Sequence, residues 1–199
     1  MLKVGIIYGG NSPEYEFSLQ SAESLIQNLD TTQFDIVPIH IDRQGFWILY
    51  DTSPLSVPFK TVNVNRSLWY RPDLLSQLPC DVIFSVLHGK QGEDGVMQGL
   101  FDLWNIPYVG SNVLGSAIGM NKVIAKQLVA YHNIASIAPY IHLSQTNWKT
   151  QPQEYIQQMN TLGYPLLVKP VASGSSVGIH YVAEPSQLSD AIQNTFQQD

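Results

Sequence analysis

The chain has 199 residues, of which 44% are apolar, enough to bury a substantial core in one large or two small domains. Its formal charge of −6 disfavours a broad nucleic-acid-binding surface while still allowing a small basic pocket. Cys80 is the sole cysteine, which excludes an intramolecular disulfide or a cysteine metal cluster, and no apolar stretch reaches membrane-spanning length.

The N-terminus opens on a strand pattern and not on a secretory segment, so the plain reading is a soluble, cytoplasmic protein without membrane insertion. That first strand, KVGIIY at 3–8, ends in Gly9-Gly10. The polar turn NSPEYE precedes a helix with apolar positions at Leu19, Ala22, Leu25, Ile26 and Leu29. FDIVPIHI at 34–41 is a second strand, followed by a turn at Arg43–Gly45 and an aromatic strand. Residues 51–72 show no firm period and read as a loop or hairpin insertion, with a short helix at DLLSQL behind it. CDVIFSVLH is a buried strand running into HGKQGEDG at 88–95, a loop with three glycines. VMQGLFDLWN fits a helix and IPYVG a short strand, completing a βαβ-type series. The expected architecture is an α/β, Rossmann-like domain: a mostly parallel sheet covered by helices.

The register changes after Gly110. SNVLGSAIGMNKVIAKQLVAYHN reads as two successive helices, IASIAPYIHL as partly extended, and QPQEYIQQMNTLG as a helix. YPLLVKP and VGIHYVA are strands joined by the turn SGSSVG, and EPSQLSDAIQNTF is a helix that Ser186 can cap. The domain boundary falls near 110–120, giving units 1–115 and 116–199. A lone hairpin is marginal, so the second unit is expected to continue beyond Asp199 in the natural protein.

Several residues stand where chemistry is done. Lys169 leaves a strand beside Ser173, Gly174, Ser175 and Ser176, small residues whose donors can cradle anionic oxygens. The lysine precedes the glycines and no helix follows directly, so this is not a Walker loop. Glu14 either caps the helix it precedes or binds a small ammonium group. His88 ends an apolar strand, where open α/β sheets bind ligands, with a local bond to Glu93 or Asp94 as the alternative. Lys122 and Lys126 lie one turn apart, as an exposed pair or with Lys122 reaching a nucleotide. His40, His132, His142 and His180 carry no ligand spacing. The tryptophans do not alternate with basic residues, so no stacking platform for nucleic acid emerges.

Taken together, GGNSPEYEFS, VLHGKQGEDG, GSAIGMNKVIAK and LLVKPVASGSSVG resemble the D-alanine–D-alanine ligase family of ATP-grasp enzymes in order, spacing and letters. The resemblance runs from Lys3 to near Phe196. It implies a pre-ATP-grasp, substrate-binding domain followed by the incomplete first part of an ATP-grasp α+β domain. The implied reaction uses ATP to phosphorylate one D-alanine, whose acylphosphate is attacked by the amine of a second for peptidoglycan synthesis.

On the same resemblance, Glu14 holds the amino group of the first D-alanine and His88 lies near the substrate carboxylate. Lys122 and Lys169 contact ATP phosphates. Ser175 is linked to Glu14 by hydrogen bonds and orients groups in the reaction, while Gly174 and Ser176 belong to the flexible phosphate-side loop. Magnesium or manganese is implied, but its ligands, the adenine hinge and the phosphate-stabilising arginine belong to the later half of the family fold, so no metal ligand is assigned here. A homodimer is the implied assembly. Tyr15, Phe17, Asn121 and Ser173 depart from common family residues without removing a named site residue. The alternatives are a D-alanine–D-lactate or D-alanine–D-serine ligase, or a non-catalytic small-molecule-binding fragment. Residues 1–199 alone are expected not to catalyse ligation.

Overall fold

The computed structural model describes residues 1–49 and 79–198; the expected insertion at 51–72 and the helix at DLLSQL lie outside the described residues. The chain divides into two compact units, Met1–Ala117 and Ile118–Asp199.

In the first unit, β1 (Leu2–Gly9), α1 (Tyr15–Asn28), β2 (Phe34–Ile41), β3 (Trp47–Leu49), β4 (Val82–Ser85), α2 (Val96–Leu103), β5 (Tyr108–Val109) and α3 (Val113–Met120) follow in order, α3 running past the division at 117/118. The sheet order is β3-β2-β1-β4-β5. β1 pairs in parallel with both β2 and β4, β4 pairs in parallel with β5, and among the described strands of this sheet only β3 runs antiparallel. Successive residues of a strand face opposite sides, and β1 uses both. Val4, Ile6 and Tyr8 pack with Ala22 and Ile26 of α1, whereas Ile7 packs with Met97 and Phe101 of α2. A strand buried on both faces must be apolar throughout, which is why KVGIIY reads as a continuous run and not an alternation.

The second unit holds α4 (Lys122–Tyr131), α5 (Gln145–Thr150), α6 (Pro152–Leu162), the antiparallel pair β6 (Leu166–Val168) and β7 (His180–Val182), and α7 (Leu188–Phe196). Leu166 and Val168 join Val182, Met159, Leu188 and Ile192 in one core, so helices cover one face of the hairpin. Leu167 and Tyr181, paired across the strands, point the other way and are exposed.

One local expectation is corrected, and one helix appears where none was expected. Ser186 does not cap the last helix: a 3-10 turn spans Pro185–Gln187, and the Ser186 hydroxyl bonds the Glu184 carboxylate instead. QTNWKT forms α5, with Ser144 Oγ accepting from Asn147 N as its cap. Six residues are too short to display a helical period, so only the cap residue signalled it.

Candidate functional site

In the sheet of the first unit, the chain leaves β1 toward β2 on one side, while β4 lies on the other. A crevice opens at such a switch point beyond the carboxyl ends of the strands. Two loops meet there: Gly9–Glu14 after β1, and the stretch from Val86 to Gly95 after β4.

Serines join these loops. Ser18, fully buried on α1, accepts from Gly9 N at 2.8 Å and donates to Val86 O at 2.6 Å. Ser12 Oγ donates to His88 O at 3.0 Å and accepts from Glu14 N at 3.2 Å. Gly10 N donates to Ile41 O at 2.8 Å, which ties the first loop to β2.

Glu14 occupies the N-cap position of α1, but its side chain makes no capping bond. The residue is 4% exposed, and its Oε1 has no hydrogen-bond partner. The carboxylate turns toward Gly89, whose φ of +72° is open to glycine. A Cβ there would overlap Glu14 Oε2 and stand 2.9 Å from Cδ. Gly89 thus serves the site by being small, a role its place in the loop motif signals.

His88 takes neither of its acidic neighbours. Its Nε2 lies 2.9 Å from Ser21 Oγ. Glu93 Oε2 instead accepts from Gly89 N at 2.7 Å, and Asp94 accepts from Gln91 N at 2.8 Å and Val96 N at 3.2 Å. Both acids brace the loop. A cavity of about 240 Å³ opens beside it, with Gly10, Ser12, Trp47, Leu87, His88 and Met97 among its walls.

In the second unit, Asn121 Oδ1 accepts from Val123 N and Ile124 N, starting α4 with Lys122 as its first residue. Lys122 Nζ donates to Ser173 O at 2.6 Å, and Lys122 N donates to Val171 O at 3.1 Å. Lys122 and Lys126 are therefore not an equivalent surface pair: the ammonium of Lys126 sits 4.7 Å over the Tyr140 ring. Lys169 follows β6 directly and is exposed. Ser175 and Ser176 have φ of 45° and 60°, a left-handed pair of non-glycine residues. That conformation costs about 1–2 kcal/mol per residue, and such outliers concentrate at ligand loops.

Glu14 and His88 lie in the first unit, and Lys122, Lys169, Gly174, Ser175 and Ser176 in the second. Ser12, Ser21 and Gly89 were not anticipated. The serines at 12, 18 and 21 signal themselves only weakly in the sequence, through the helical spacing of the last two.

A family profile described as D-ala D-ala ligase N-terminus matches residues 3–111, and one described as D-ala D-ala ligase C-terminus matches 128–199. The D-alanine–D-alanine ligase of Geobacillus kaustophilus is 38% identical over 99% of this chain, and the chain spans 58% of that relative's length. The D-alanine–D-alanine ligase structure from Coxiella burnetii superposes with a TM-score of 0.81 at 29% identity, covering 100% of this chain and 61% of its own. The VanG D-Ala:D-Ser ligase of Enterococcus faecalis does so at 0.74 and 34% identity, covering 98% and 60%.

Proposed function

The chain belongs to the D-alanine–D-alanine ligase family, and from that premise we propose that it carries the first-substrate site and the phosphate-side loop of an ATP-dependent ligase joining two D-alanines for peptidoglycan synthesis. One observation carries the reading. A carboxylate whose buried Oε1 has no partner, at the switch point of a mainly parallel sheet, is complementary to a small ammonium group. D-Alanine brings that ammonium.

Glu14 holds the amino group, and His88 takes the substrate carboxylate side. A free carboxylate is a poor electrophile; ATP, as co-substrate, supplies the phosphoryl group that makes it an acyl donor to the second amine. Lys122 and Lys169 hold phosphate oxygens, and Gly174, Ser175 and Ser176 supply small, donor-rich neighbours for them. Ser175 orients groups. What supports this assignment is the left-handed Ser175-Ser176 pair and the ammonium of Lys122 already at the loop. Among the described residues no group of three His, Cys, Asp or Glu could hold the magnesium or manganese that the family uses. No step is therefore drawn through a metal ion. A homodimer belongs to the same proposal, with sedimentation as its measurement.

Because the chain spans 58% of its relative's length, residues 1–199 are proposed to bind D-alanine without forming dipeptide or releasing phosphate from ATP. Calorimetric titration tests the site directly. D-Alanine binds, D-lactate, which lacks the ammonium, does not, and Glu14→Gln abolishes the heat. Equal affinity in wild type and E14Q overturns the reading. A D-alanine–D-serine ligase is the second reading, favoured by the 34% identity with VanG. Both share the first site, and product analysis on a complete ligase carrying this segment separates them.

A further inference from the structure

His88 is gripped at two points: Ser12 Oγ bonds its carbonyl, and Ser21 Oγ lies 2.9 Å from its ring Nε2. A serine inside a helix ordinarily folds back onto a carbonyl of the preceding turn, as the Thr150 hydroxyl does onto Thr146 O. Ser21 points across to the other loop instead. Its place is set by Ser18, one helical turn earlier on the same face, which is locked between Gly9 and Val86. The helix therefore delivers the Ser21 hydroxyl to His88 as a fixed point.

The Ser21 hydroxyl can donate to Nε2 or accept from it, so the bond holds the ring in place with either tautomer. With Nε2 engaged by Ser21, Nδ1 is the ring nitrogen open to a ligand, and it makes no hydrogen bond among the described residues. We propose that Ser21 is a positioning residue that holds His88 by Nε2, fixing the ring's orientation and presenting Nδ1 as its ligand-facing atom. The identity of that ligand as D-alanine rests on the ligase reading. The grip on the ring does not.

The test is histidine ring ¹⁵N spectroscopy of the 199-residue chain, with the His88 signals assigned by their loss in His88→Gln. The wild type shows an Nε2 signal displaced from that of a solvated imidazole by its hydrogen bond to Ser21. Ser21→Ala moves the Nε2 signal toward the solvated value, and Ser21→Thr, which keeps the hydroxyl, restores the wild-type pattern. Superposable His88 signals in wild type and S21A overturn the proposal. D-Alanine titration adds the coupling: S21A weakens binding about threefold to tenfold, the range one neutral hydrogen bond supports, and has no further effect in the H88Q background. An equal loss on top of H88Q means that Ser21 does not act through His88, which also overturns it. Should D-alanine fail to bind at all while the S21A spectrum changes as described, the ligase reading falls and the positioning role stands.

Discussion

Gly89 and Glu14 pack so closely that any side chain on the first would displace the carboxylate of the second. The contact bridges 75 residues of sequence and joins the loop after β1 to the loop after β4. It explains how a carboxylate can be buried beside a loop without being neutralised by a donor from it. The backbone at residue 89 leaves room for Glu14 and sends its own N–H to Glu93.

Gly89→Ala is expected to abolish D-alanine binding. The left-handed φ costs alanine about 1–2 kcal/mol, and the added methyl must also push Glu14 aside. Calorimetry reads the binding, and a thermal melt of the same sample reads a lowered midpoint. Wild-type affinity in G89A would show that the Glu14 position is unimportant.

Ser18→Ala should be the most destabilising serine change among the described residues. It leaves Gly9 N–H and Val86 C=O buried without their shared hydroxyl, at a cost of roughly 2–4 kcal/mol. Urea unfolding measures it as a lower midpoint at unchanged slope.

Lys169→Ala should separate binding from folding. The side chain is exposed, so the melting temperature should stay at the wild-type value. Affinity for a non-hydrolysable ATP analogue should fall roughly 10- to 100-fold, as expected for one charge-assisted bond. Unchanged nucleotide affinity in K169A removes the lysine from the phosphate site.

His40 should make stability depend on pH. Burial holds its pKa below the ordinary 6.5, opposed by the nearby Asp42. Its ring stacks on Tyr8, and its Nε2 lies 2.8 Å from the Tyr15 hydroxyl. A lowered folded-state pKa means that the unfolded chain binds the proton more tightly. The His40 contribution is therefore present above pH 6.5 and is lost as pH falls through the lowered folded value. Urea midpoints at successively lower pH should drop, and His40→Gln should flatten that part of the profile.

Much of the candidate site was legible because it lies in short loops that follow strands. KVGIIY-GG, VIFSVLH-GKQGEDG and LLV-KPVASGSSVG each place a polar, glycine-bearing segment directly after an apolar run, and the sheet of the first unit puts two of these segments at one end. What escaped was the choice among partners. Glu14 read as a possible cap, but it leaves the helix end unbonded and turns to Gly89. His88 had Glu93 and Asp94 within seven residues, yet its ring goes to Ser21 at a separation of 67.

By itself the sequence determined the order of the strands and of the longer helices, the two-sided burial of β1 and the loops that bear charged and small residues. Apolar periodicity and turn chemistry are local, so they survive being read one residue at a time. The tertiary structure decided which carboxylate is braced and which is left open, which hydroxyl holds the histidine, and why residue 89 must lack a side chain. Those outcomes depend on distances between segments far apart in the chain, and they are set only when α1 packs across the ends of β1 and β4.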